Sequence, residues 1–291
     1  MVSIPNIRSK TKISLILTVL LVTGALIWWS VYPQINRVLS GGNYLTVKIY
    51  DVGQGDAILI QKGDTQILVD GGPGDAVLTH LGRDLLPWDR EIELLVLSHP
   101  QADHLAGLIA VLERYQVQRV LYYPSQYDTK LYQRFLELIK SEGAEILLAS
   151  AGGTVSVGEI VLQVVWPTAN FRHQNVNNES VVLLLDYLYF EALLLGDAEQ
   201  DAQKNLLINE NVELLKVSHH GALNGTYEPL LRAIAPQLAA ISSGLDNRFG
   251  HPHSRTLSIL GKLGIPFLRT DLNGTITVWS DGYHFWYSTD R

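Results

Sequence analysis

Two histidines and an aspartate crowd into one hexapeptide, His99-Pro-Gln-Ala-Asp-His104. Imidazole nitrogens and carboxylate oxygens are the side-chain donors that hold borderline and hard divalent ions. More of both sit in Asp51-Val-Gly-Gln-Gly-Asp56, Asp70-Gly-Gly72, Gly196-Asp197, Ser218-His-His-Gly221 and Gly250-His-Pro-His253. The chain has no cysteine, which excludes disulfides and thiolate ligands and leaves His, carboxylate and amide. Asp103 and His104 are neighbours and can embrace one ion only where the backbone turns sharply. His99 lies on the same loop, and Asp197, far along the chain, can bridge two ions. Ions about 3.5–4 Å apart generate a nucleophile from water and stabilise a leaving oxygen. Asp56 and Asp70 suit a supporting role, orienting histidines from behind.

Each piece has a plainer reading. Gly-Gln-Gly and Asp-Gly-Gly are ordinary turn sequences. Asp197 ahead of Ala-Glu-Gln fits a helix cap. A lone histidine is usually a surface or satisfied core residue. The joint placement of these groups beside strands is what favours a metal site.

The elements that must position them are legible from hydrophobic period. Residues 44–50 alternate with period two and read as a strand, as do 57–61, 66–69, 94–97, 120–123 and 145–148, with a helix near 128–142. Strands follow at 160–165, 180–185 and 189–195, the last two joined as a hairpin through 186–188. A helix over 198–208, strand 212–217, helix 226–235, strand 238–242, helix 254–263 and strand 265–269 come next, then a hairpin of 274–279 with 284–288. Asn175-Val-Asn-Asn-Glu-Ser180 leads into a strand. The other polar loops lie after strand ends, which converge along one edge of a sheet.

The 291 residues carry a net charge of −7, which argues against a general basic surface for nucleic acid; a polyanion would need local attraction. Arg8, Lys10 and Lys12 precede an apolar run of about 19 uncharged residues, near a bilayer span. Trp28, Trp29 and Tyr32 suit the far interface, and the charge bias predicts the N-terminus inside. The expected organisation is a basic cytoplasmic segment 1–12, a transmembrane anchor 13–32, a linker 33–43 and one soluble domain 44–291. The competing reading of 13–32 is a cleaved signal peptide, giving a secreted domain.

Together, Asp70-Gly-Gly, Ser98-His-Pro-Gln-Ala-Asp-His104, Gly196-Asp197 and the late histidines resemble the metallo-β-lactamase superfamily, whose loop reads HxHxDH. Asp51-Val-Gly-Gln-Gly-Asp56, Asn177-Asn-x-Ser180, Leu215-Lys-Val-Ser-His-His-Gly221 and Asn247-x-x-Gly-His-Pro252 are similar to one branch, the hydrolase domain of ComEC-type DNA-uptake competence proteins. The resemblance covers residues 44–280. It implies an α/β fold, a four-layer αββα sandwich, here preceded by one N-terminal transmembrane helix. It implies metal-dependent hydrolysis with one or two divalent ions, zinc or manganese. Carried over by position, His99 and Gln101 face the first ion and Asp197 bridges. Asp103, His104, Asp197 and His251 hold the second. His219 and His220 lie over the site, one of them a proton donor, with Asp103 the third catalytic candidate. Asn178, or Asn177 beside it, falls where relatives carry a further histidine ligand. Asp51, Asp56, Asp70, Asn177 and Ser180 support the ligands.

Gln101 and the Asn pair depart from the family pattern, and both departures fall on the first ion. A neutral amide oxygen is a weaker ligand for zinc than imidazole, so one tight and one weak site are expected. ComEC-type channels have many membrane helices and this chain has one, so a tethered, outward-facing hydrolase is the simpler picture, with a separate DNA-channel protein as a conceivable partner. The expected substrate is DNA or another phosphodiester. The alternatives are a lactone, ester or β-lactam substrate, or a non-catalytic binding module with a degraded site. Tyr122, Tyr123, Tyr127 and Phe249 are candidates to stack on bases, or to pack in core and rim.

Overall fold

The computed structural model describes residues 16–25, 28, 44–208 and 210–291. The chain divides into two compact units, Met1–Gly42 and Asn43–Arg291. In the first, residues 16–25 are helical and expose Ile16, Leu17, Leu20 and Leu21. Among the described residues no helix is long and apolar enough to cross a membrane. The basic segment, the linker and half of the proposed span lie outside the described residues.

In the second unit, strands β1 (Leu45–Ile49), β2 (Ile58–Lys62) and β3 (Thr65–Val69) are followed by helix α1 (Ala76–Asp84). Then come β4 (Glu91–Ile92), β5 (Leu94–Leu97), α2 (Ala102–Leu112), β6 (Gln116–Val117), β7 (Arg119–Tyr122), α3 (Lys130–Glu142), β8 (Glu145–Leu148), β9 (Thr154–Val157) and β10 (Ile160–Trp166). After a 3-10 turn at Val176–Glu179, β11 (Val182–Tyr187) and β12 (Phe190–Leu194) form a hairpin. The chain continues through α4 (Gln200–Gln203), β13 (Leu214–Lys216), α5 (Glu228–Ile234), β14 (Leu238–Ile241), α6 (Ser254–Leu263), β15 (Phe267–Arg269), α7 (Thr270–Asn273), β16 (Ile276–Ser280) and β17 (Phe285–Thr289).

Two sheets result, ordered β17-β16-β1-β2-β3-β5-β7-β8 and β15-β14-β13-β12-β11-β10-β9, with β4 and β6 as a small separate pair. Side-chain alternation explains the layering. Leu94 and Val96 enter the core between the sheets, with Ile58, Ile60, Leu183 and Leu185. Leu95 and Leu97 point the other way, onto Leu105 and Leu108 of α2 and Phe135 of α3. On the far side Leu193 and Leu215 meet Leu230 of α5 and Leu260 of α6. Helix, sheet, sheet and helix make four layers, as expected.

The sheets converge on one functional edge. β3, β5, β7 and β8 run parallel, and so do β12, β13, β14 and β15. β1 reaches β3 through two antiparallel pairings and therefore shares its direction. Parallel strands end on the same edge, so the loops after β1, β3, β5, β12, β13 and β14 emerge together.

Several sequence expectations shift. The helix expected over 198–208 shortens to Gln200–Gln203. The 226–235 helix narrows to Glu228–Ile234, with a proline in its first turn and Ala235 left-handed at φ 38°. β11 starts at Val182, because the 3-10 turn occupies 176–179 and Asn177 O accepts from Ser180 N–H. Its hairpin turns at Leu188-Tyr189, leaving Asp186 and Tyr187 in the strand. Helix α1 had no counterpart in the sequence reading; it is short and buries only Val77 and Leu81.

Candidate metal centre

Asp70 organises the first loop. Its Oδ1 accepts from Ser98 N–H at 2.8 Å, and its Oδ2 accepts from Ser98 Oγ at 2.6 Å and from His104 Nδ1 at 2.7 Å. With its own proton committed to Asp70, Ser98 Oγ accepts from His99 Nδ1 at 3.0 Å. One buried carboxylate thereby orients both rings of the hexapeptide, His104 directly and His99 through a hydroxyl. Asp70 adopts φ 59°, and Gly71 N–H donates to His104 O at 2.7 Å. A Cβ on Gly71 would collide with the backbone of Gly107 in α2, so the Asp-Gly-Gly turn is what allows the loop to lie against that helix.

His219 and His220 follow β13 in two successive left-handed conformations, φ 50° and 53°. Non-glycine residues there cost about 1–3 kcal/mol each. The strain sends the two rings different ways. His220 is buried, with Nδ1 3.3 Å from Asp56 Oδ1 and Nε2 3.3 Å from Asp103 Oδ2. His219 keeps 22% of its side chain exposed; its Nδ1 lies 3.2 Å from Glu199 Oε1. Behind His220, the fully buried Lys216 ammonium donates to Asp56 Oδ2 at 2.6 Å and to Val217 O at 3.0 Å.

Asp197 is the point where these loops meet. The Nε2 atoms of His104, His219, His99 and His220 lie 3.3, 3.7, 3.8 and 3.8 Å from its oxygens. Its backbone N–H donates to Ser180 Oγ at 3.2 Å, which fixes the turn. Both Asp197 oxygens, His104 Nε2, both His220 nitrogens and Asp56 Oδ1 are buried without a hydrogen-bond partner. Unpartnered polar groups are costly to bury, and here they converge on one point.

The electrostatics agree. Burial pushes the His99 imidazole down to about 4, helped by the neighbouring His104. It therefore presents a neutral lone pair, the form that ligates metal. Burial also disfavours charge on His104 and His220, but the surrounding carboxylates, Asp197 first, outweigh it: His104 is raised well above its usual value and His220 to about 9. Burial alone would raise Asp197 and Asp103, yet the facing histidines hold both below the usual carboxylate range. A cation belongs among these groups.

Four overlapping triads have ligand atoms within 4.8 Å of one another: His99/His104/Asp197, Asp103/His104/His220, Asp56/Asp197/His220 and Asp56/Asp70/His104. Nitrogen and oxygen donors without sulfur fit a borderline or hard divalent ion. Gln101 Oε1 sits 3.4 Å from His99 Nε2 and adds a weak donor on that side.

Residues 50–170 match the Metallo-beta-lactamase superfamily. Over that stretch, which is under half of the chain, the sequence is similar to a metallo-β-lactamase domain. Among its relatives are ComE operon protein 3 of Bacillus subtilis, 28% identical over 79% of this chain and 32% of that protein, and Competence protein ComA of Neisseria gonorrhoeae, 25% identical over 80% and 32%. The chain spans about a third of the length of these relatives. The metallo-β-lactamase fold protein YhfI of Bacillus subtilis superposes with a TM-score of 0.54 at 15% identity, covering 77% of this chain and 95% of that one, which shows the fold. Metallo-β-lactamase folds bind divalent metal, often two ions, and the donor set above suits that.

The structure brings together His99, Gln101, Asp103, His104, Asp197, His219 and His220, with Asp56, Asp70, Asn177 and Ser180 around them. Three sequence assignments move. Asn178 is turned away, since its Oδ1 accepts from the backbone N–H of Glu199 at 3.1 Å and of Ala202 at 3.3 Å. Asn177 is the one that reaches inward, donating to Glu199 Oε1 at 3.1 Å. His251 stands beside the cluster, its ring centre 6.3 Å from that of His220 and its Nδ1 3.4 Å from Gln54 Nε2; His220 takes the place beside Asp103 and His104. Asp51 supports its own loop and the C-terminus, accepting from Gly53 N–H and pairing with Arg291.

Residue type and spacing alone assign no role to Lys216, Ser98 or Glu199. Two signals mark Lys216: the lone charge in the otherwise apolar Leu214-Leu-Lys-Val217, and its place in the motif Leu215-Lys-Val-Ser-His-His-Gly221. Tyr123 is core and Tyr122 packs on Phe135, whereas Tyr127 and Phe249 are exposed.

Proposed function

We propose that this is a membrane-anchored, metal-dependent phosphodiesterase acting on nucleic acid outside the cytoplasmic membrane. The observation that carries the enzymatic part is the convergence of four histidine Nε2 atoms on the unpartnered Asp197 carboxylate. The competence relative and the resemblance of the motifs support DNA as substrate. The anchor and orientation rest on the basic flank and apolar run of residues 8–31. A decayed binding module is disfavoured, because the buried donors are pre-oriented from behind by Asp70, Ser98 and Asp56.

His99, His104, Asp103, His220 and Asp197 would hold the ions, zinc or manganese. Bound there, such ions supply an activated water and offset charge on the phosphoryl oxygens. His220 is buried with both nitrogens facing carboxylates, which makes it a ligand. His219 is the proton donor: it reaches solvent, and Glu199 and Asn177 fix its ring. Glu199 accepts at His219 Nδ1 and leaves Nε2 directed toward the site. Burial would raise the Glu199 carboxyl, but His219 and Asn177 hold it low, so it stays an acceptor.

General-acid help matters most for a poor leaving group. His219→Ala should therefore slow cleavage of an oligonucleotide by about 10²–10⁴-fold and that of bis(p-nitrophenyl) phosphate far less. Equal losses on both substrates would remove His219 from that role. Gln101→His should raise affinity for the more weakly held ion, read as metal stoichiometry after dialysis; unchanged stoichiometry would contradict the lopsided site.

A further inference from the structure

Resting on the phosphodiesterase reading, we propose that a cleft beside the metal centre binds one unpaired nucleotide of the substrate strand and makes the enzyme prefer single strands. The cleft is about 450 Å³, within the usual range of ligand pockets, and lies between the loop after β7 and the loop after β10. Its position follows from topology. β7 is the parallel neighbour of β5, whose following loop carries His99 to His104, so both loops leave the same edge.

The 3-10 turn Val176–Glu179 is the wall shared with the metal centre. On one side Asn177 donates to Glu199 and lies 3.5 Å from the ring of His219. On the other, Val176 and Glu179 line the cleft. A strand seated there runs directly past the proton donor.

The cleft is built in advance. Glu179, only 4% exposed, accepts from Ser125 Oγ at 2.6 Å and from His173 N–H at 3.2 Å, and so ties the two loops together. Its charge is committed to those bonds. Arg172 is fixed too: Nη1 donates to Tyr123 Oη and to Phe171 O, each at 2.6 Å, and the guanidinium lies 5.3 Å from the Tyr123 ring centre. Among the described residues it makes no ion pair. A held, unpaired guanidinium recognises a phosphate, with its remaining N–H groups free to donate. Tyr127, an exposed ring on the opposite rim, offers a stacking face to a base. A base within a duplex has its faces stacked and its edge paired, so this cleft selects unpaired ones.

Fluorescence anisotropy of a labelled 15-nucleotide oligo-dT, with chelator present so that nothing is cleaved, tests the cleft directly. Tyr127→Ala and Arg172→Ala should each weaken binding about five- to hundredfold, while Tyr127→Phe keeps wild-type affinity. Turnover of bis(p-nitrophenyl) phosphate should be unchanged in all three, and a blunt duplex should bind more weakly than the single strand. Wild-type oligo-dT affinity in both alanine variants, or an equal loss with Tyr127→Phe, overturns the proposal. The two readings fail separately: strand binding that depends on Tyr127 and Arg172 without any hydrolysis keeps the cleft and sinks the phosphodiesterase, and hydrolysis without that dependence does the reverse.

Discussion

Asp197→Asn is expected to abolish hydrolysis without unfolding the domain. Asparagine keeps the shape and the backbone bond to Ser180. It removes the one negative charge that imidazoles from two loops approach at 3.3–3.8 Å, and it aims an N–H₂ at nitrogens that need an anion or a metal. Metal-assisted stabilisation of transition-state charge is worth several kcal/mol, so kcat/KM should fall by about a thousandfold or more. Bound metal, measured by elemental analysis of dialysed protein, should drop with it, because the carboxylate on which the other donors converge loses its charge. A native circular-dichroism spectrum would separate this from collapse of the fold. Activity within tenfold of wild type would remove Asp197 from the centre of the site.

Lys216→Met is expected to be the most destabilising single change around the site. The ammonium is fully buried, and among the described residues only Asp56 and a backbone carbonyl satisfy it. Methionine fills the same volume in a strand whose neighbours are apolar, so packing is largely kept. What is left is a buried Asp56 carboxylate without its cation. Breaking such a pair from one side costs about 3–5 kcal/mol, a large share of a typical domain's stability. Urea unfolding should show the loss, and Asp56→Asn combined with Lys216→Met should recover much of it, since no charge is then stranded. The pair would show strong coupling in the double-mutant cycle. A Lys216→Met protein within about 1 kcal/mol of wild type would mean that the pair is not holding Asp56. The functional consequence follows from the same contacts: Asp56 faces His220 Nδ1, so the tilt of the His220 ring depends on a lysine in the core.

The layers of the fold were legible because Tyr44–Tyr50 alternates with period two and Leu94–Leu97 is a short continuous apolar run, both of which suit a sheet, and the helical runs need a face to cover. The polar loops were legible because they follow those runs on one edge. What sequence could not give was distance. His251 and His220 are equally plausible ligands on spacing alone; the two left-handed residues at 219 and 220 decide between them by sending one ring inward. Asn177 and Asn178 are adjacent, and a single 3-10 turn determines which amide faces the centre and which caps the next segment. Lys216 was hidden in an apolar strand, and Glu199 in a stretch that reads as helix. Gln101, by contrast, was visible as a departure from the first, since it interrupts the His-x-His spacing of the loop.

Hydrolysis of a phosphodiester by this metal centre is tested most directly by degradation of single-stranded DNA by the purified chain, titrated with manganese or zinc after chelation, beside an Asp103→Ala control. The expected result is no cleavage in chelator, recovery on adding metal, and no recovery in the control. Cleavage that persists in chelator, or that survives Asp103→Ala, would contradict it.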